Sequence, residues 1–104
     1  MNIDLYKAVI FRDFIELRKM LENKSYMTKA FKQLQNITAG LESLKLMAEG
    51  ASVPLSDRFT ALLKEINTLA ILLKYADIKH EKISEHHDTI MKQFDKILKM
   101  FGDL

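Results

Sequence analysis

Three histidines and four acids crowd one stretch of this chain: His80, His86 and His87 lie among Asp77, Glu81, Glu85 and Asp88. Imidazole and carboxylate together are the ligands of zinc, iron and manganese sites. On one helix, two side chains share an ion only when they stand three or four residues apart. That spacing leaves Asp77 with His80, Glu81 with Glu85, and Glu85 with Asp88. His80 and His87 would be separated by about 10.5 Å of helix rise, too far for one ion. Each usable pair needs two more ligands from elsewhere. Neither HExxH nor the paired Glu and Glu-x-x-His pattern of di-iron bundles occurs. The expectation is therefore no metal and no cofactor, with a metal-binding bundle built on 80–88 as the lesser alternative. His80 and His87 read instead as polar members of an apolar helix seam, and His86 as a water-facing neighbour. Buried in such a seam, the two histidines would make association weaken on acidification, since burial favours neutral imidazole.

A second candidate is basic. No acid occurs between Glu22 and Glu42, while Lys24, Lys29 and Lys32 do, with Arg18 and Lys19 just upstream. Lys29 and Lys32 share a helix face, so a small phosphate-attracting patch is conceivable, but three to five cations give weak affinity. A solvated helix face is the plainer reading.

The parts of a catalyst are missing from the sequence. There is no cysteine and no Gly-x-Ser-x-Gly, and Gly40, Gly50 and Gly102 are too scattered for a phosphate loop. None of the histidines is followed by the Lys-Gly of histidine phosphotransfer bundles. A non-enzymatic protein is expected.

The elements that hold these residues are legible as stripes. The chain has 104 residues, 48% hydrophobic and 29% charged, with a net charge of +2, which is too apolar and too weakly charged for disorder. Three glycines and one proline are too few for an all-β fold, which needs a turn every 8–12 residues or so. No run approaches the ~18 uncharged apolar residues of a membrane span. Asp4 stands where a secretory signal would carry basic residues, and the chain lacks cysteine, so a cytoplasmic address is expected.

Ile3, Tyr6, Ile10, Phe14, Leu17 and Leu21 recur at helical spacing, and Val9, Phe11 and Ile15 widen that face until little is left for water. The stripe restarts out of phase as Met27, Phe31, Leu34, Ile37, Leu41, Leu44 and Ala48, which puts a turn at 23–25 with Ser25 as cap. Gly50 and Pro54 mark the central break, with Ser56 capping the next helix. From Phe59 the stripe runs through Leu62, Ile66, Leu69, Leu73, Ala76, His80, Ile83, His87, Ile90, Phe94 and Ile97 to Phe101 without a slip. Such a preserved heptad phase favours one helix of roughly 45 residues over two helices parted near 77–84. No internal repeat is visible across the two halves.

The expected fold is all-α and a single helical domain over 1–104: a bundle of long amphipathic helices, either an intrachain four-helix bundle or a long hairpin that dimerises. The expected role is that of a protein–protein interaction module that forms a homodimer, with Ile66, Leu69, Leu73, His80, Ile83, His87, Ile90 and Phe94 as its contact seam. A nucleic-acid-associated regulator using Lys24, Lys29 and Lys32 is the alternative.

Overall fold

The computed structural model describes residues 3–23, 27–49, 53–78 and 83–104. They form four helices packed against one another: α1 (Ile3–Glu22), α2 (Met27–Glu49), α3 (Val53–Ile78) and α4 (Ile83–Gly102). Successive helices run antiparallel. Gln33 of α2 reaches Asp13 of α1, Lys74 of α3 lies over Phe31 of α2, and Gln93 of α4 reaches Glu65 of α3. Phe14 on α1 meets Phe94 and Phe101 on α4, which closes the ring of helices. The result is an elongated all-α bundle of 46 × 20 × 18 Å.

Each helix forms because its apolar residues fall on one stripe. Ile10, Phe14, Leu17 and Leu21 are buried on α1, and Ala30, Leu34, Ile37, Leu41 and Leu44 on α2. On α3 the buried set is Phe59, Leu62, Ile66, Leu69 and Leu73, and on α4 it is Ile90, Phe94, Ile97 and Phe101. No polar or charged residue is buried among the described residues. The core is therefore held by area removed from water, at about 25 cal/mol per Å² of apolar surface. Asp4 in the first turn of α1, with Lys19 and Lys99 in the last turns of α1 and α4, complement the helix dipoles. The ion pairs Arg18–Glu22 and Glu16–Lys19 are exposed and add a few tenths of a kcal/mol at most.

The single 45-residue helix does not form. α3 ends at Ile78, α4 starts at Ile83, and the two pack side by side. The heptad phase survives because both helices turn their stripes to the same core, a constraint that does not require a continuous backbone. Two helix starts also move. α3 begins at Val53, ahead of Ser56, because Pro54 is tolerated in a first turn where its missing N–H is not needed. Thr60 Oγ1 donates to the Ser56 carbonyl at 3.1 Å, so Ser56 is already helical rather than a cap. The expected caps Ser25 and Gly50 lie outside the described residues.

The widened face of α1 is also corrected. Val9 and Phe11 are 42% and 48% exposed, and Tyr6 is 40% exposed, because α1 has neighbours on two flanks and water on the third. On α2, Ala30 takes the buried position and Phe31 sits half-buried at the rim under the Lys74 ammonium, 5.4 Å from its ring centroid.

Gly40 lets α2 approach α1. A Cβ there would stand 3.3 Å from both Cδ1 and Cγ1 of Ile10. Replacing a mid-helix glycine by alanine gains about 1 kcal/mol of helix propensity, and squeezing the end of Ile10 costs a similar amount. Gly40→Ala is therefore expected to leave Tm nearly unchanged in a thermal melt. A fall of more than about 10 °C, equivalent to roughly 1–2 kcal/mol, would show that Ile10 cannot give way.

Candidate functional site

The seam residues expected to meet a partner belong to the chain's own core. Ile66, Leu69, Leu73, Ile90 and Phe94 are at most 2% exposed, because α3 and α4 pack against each other and against α1 and α2. His80 lies outside the described residues, as does the side chain of Ile83.

His87 is the one seam histidine in view. It is half-buried in the first turns of α4, and its Nε2 lies 2.8 Å from the carbonyl oxygen of Leu21 at the end of α1. A carbonyl only accepts, so Nε2 carries the proton and donates. Leu21 is in the last turn of α1, where backbone carbonyls lack helical partners. The histidine thus caps α1 from another helix of the same chain. His87→Ala removes this tie and is expected to cost about 1 kcal/mol in urea unfolding. An unchanged midpoint would mean water replaces the imidazole fully.

The metal reading gains no geometry. Asp88 is exposed, the side chains of Asp77, Glu85 and His86 and all of Glu81 lie outside the description, and no group of three metal-ligating side chains occurs among the described residues. Of the basic stretch, Lys29 and Lys32 are exposed on α2, and Lys24 is outside the described residues.

A polar cluster that the sequence did not announce ties α4 to α3. Gln93 Nε2 donates to the Glu65 backbone carbonyl at 3.0 Å and to its Oε2 at 2.8 Å, while Lys96 Nζ lies 3.3 Å from Oε1. The Gln93 hydrogen bond, followed by that from Lys96, holds the Glu65 carboxyl below the ordinary glutamate range. A lowered folded-state pKa means that the ionised form stabilises the fold above the unfolded value. That contribution is lost as pH falls through the lower folded value. In an NMR titration, Gln93→Leu should move the Glu65 midpoint up toward the ordinary value. An unmoved midpoint would remove Gln93 as the cause.

Two kinds of surface feature remain. Between α2 and α3 runs an open groove of about 440 Å³, lined by Phe31, Gln35, Thr38, Ala39, Leu63 and Asn67 among others. The other is apolar surface: Leu5, Tyr6, Val9 and Phe11 on α1, Leu46 on α2, and Ile71 and Tyr75 on α3 are each 40–70% exposed. Leu5 and Leu46 fall off the three-and-four stripes, which is the one sequence signal that could have marked them. No helix among the described residues is long and apolar enough to cross a membrane. No protein family, curated protein or solved structure matches this chain.

Proposed function

We propose that the chain is a non-enzymatic protein–protein interaction module of the cytoplasm: a small adaptor, assembly factor or inhibitor that binds a larger protein. The observation that supports this reading is the first three turns of α1, where Leu5, Tyr6, Val9 and Phe11 are 40–63% exposed. Leu5 and Val9 are four apart and share one face, continued by Arg12 and Glu16. Leu5 and Val9, with Tyr6 at their edge, form an apolar strip on one flank of α1, while Phe11 lies on the opposite flank. Such a strip over an apolar core already complete suits a partner's helix or groove. The former contact seam is core, so the docking face moves to the outside of α1.

The test is the double variant Leu5→Glu with Val9→Glu. Both positions are exposed, so melting should stay within about 0.5 kcal/mol of wild type. A partner captured by wild type should be lost by the variant. Equal capture by both proteins would end the reading, and sedimentation of the wild type alone shows whether a second copy is that partner.

A second reading rests on α2, whose exposed Lys29, Lys32, Gln35 and Asn36 lie in a stretch without acids. It expects nucleic-acid affinity that falls steeply with salt and weakens in Lys29→Gln with Lys32→Gln. Salt-independent retention, or none, would dismiss it.

A further inference from the structure

We infer that the chain is two copies of one helical hairpin packed against each other, and that three phenylalanines hold one of their two equivalent seams wider than the other. The equivalence starts from two hydrogen bonds. Gln33 on α2 donates Nε2–H to the backbone carbonyl of Asp13 on α1, at 3.1 Å. Gln93 on α4 does the same to Glu65 on α3, at 3.0 Å. A side-chain amide reaching a carbonyl inside a neighbouring helix is uncommon, since that carbonyl already serves its own helix. Here it occurs twice, between the same helices of each hairpin, and each acceptor immediately precedes a buried core residue, Phe14 or Ile66.

Aligning Asp13 with Glu65 superposes the whole stripe: Ile10, Phe14, Leu17 and Leu21 fall on Leu62, Ile66, Leu69 and Leu73, a shift of 52. Aligning Gln33 with Gln93 sets Ala30, Leu34, Ile37 and Leu41 on Ile90, Phe94, Ile97 and Phe101, a shift of 60. Outside the stripes, Arg12 falls on Lys64, Met20 on Leu72 and Lys32 on Lys92. The two shifts differ because each arm of the second hairpin runs about one turn further from the Gln–carbonyl contact toward its connection, although α4 as a whole is shorter than α2. α3 runs on to Ile78 where α1 stops at Glu22, and α4 starts at Ile83, ahead of the position that matches Met27. No single shift aligns the two halves, so the repeat does not show in the sequence.

Equivalent hairpins imply equivalent seams: α2 against α3 should match α4 against α1. Their spacing differs. Among the described residues, the α2 and α3 backbones come within 8 Å of each other at the most places of all neighbours, and those of α4 and α1 at the fewest. The core residues give the reason. Phe14, Phe94 and Phe101 meet across the α1–α4 seam, with ring centroids 6.2 Å and 5.1 Å from Phe14. Their counterparts are the smaller Ile66, Leu34 and Leu41, equally buried. Closely packed interiors transmit such a difference in side-chain volume to the backbone.

The chain has no cysteine, so pairs of spin labels can be placed freely. Arg12→Cys with Lys99→Cys spans α1 and α4, and Lys64→Cys with Ala39→Cys spans the equivalent points of α3 and α2. All four positions are exposed. In the otherwise wild-type chain the first distance should exceed the second. Transposing the core by Phe14→Ile, Phe94→Leu, Phe101→Leu, Ile66→Phe, Leu34→Phe and Leu41→Phe should reverse that order in a protein that still melts cooperatively. Equal distances in the first pair of proteins would overturn the inference. So would an unchanged order after transposition, or loss of cooperative melting, since equivalent sites accept each other's residues.

Discussion

Phe14→Ala should lower stability by about 3–5 kcal/mol, the largest loss expected of any single truncation in this bundle. The ring is fully buried and packs edge-on against Phe94 and tilted against Phe101. Removing it forfeits the transfer free energy of the aromatic ring together with two aromatic contacts worth about 0.5–1.5 kcal/mol each. It also leaves a cavity on the seam where neighbouring backbones, those of α1 and α4, approach each other at the fewest places. Whether those helices then draw together decides where in the range the cost falls, because relaxation shrinks the cavity. Against a total stability of about 5–15 kcal/mol for a chain this size, such a loss is a fifth or more of what there is. Tm should fall by roughly 12–30 °C, read by thermal melting with urea unfolding alongside. A fall under about 3 °C would mean that the aromatic cluster is not a packed core.

Much of the core was legible because a helix turns periodicity into position. Leu34, Ile37, Leu41 and Leu44 were placed by spacing alone, as were Phe59 through Leu73 and Ile90 through Phe101, and all are buried. Periodicity says which residues share a face. It does not say what covers that face, and this is where the reading failed. Val9 and Phe11 are as apolar as Ile10 but lie on the flanks of the stripe, where only the position of neighbouring helices decides their exposure. The unbroken phase from Phe59 to Phe101 favours one helix by periodicity alone, although two helices sharing a core keep phase equally well. A single long helix would leave the contact seam uncovered and in need of a partner. Once α4 folds back, Ile66, Leu69 and Phe94 need nothing further. The ties that fix register were not legible either. The amide of Gln93 and the imidazole of His87 each find a carbonyl more than 25 positions away in the chain, and composition gives no hint of such pairs.

α3 offers the sharpest test of position against composition, because its apolar residues are spread around the helix. Leu69 and Ile71 are two residues apart and similar in volume, yet Leu69 is fully buried and Ile71 is 60% exposed. Leu69→Ala should cost about 2–5 kcal/mol, as large-to-small changes in a closed core do. Ile71→Ala should stay within about 0.5 kcal/mol, since a side chain already in water loses little on truncation, and alanine is the better helix former. Hydrophobicity alone would rank the two changes together, so the contrast isolates the register of α3 in the bundle. Urea unfolding of both variants decides it. Equal losses would mean that both faces of α3 are covered, by a rotation of the helix or by a second chain, and sedimentation would separate those two cases. A costly Ile71→Ala beside a mild Leu69→Ala would place the stripe on the wrong face and the bundle with it.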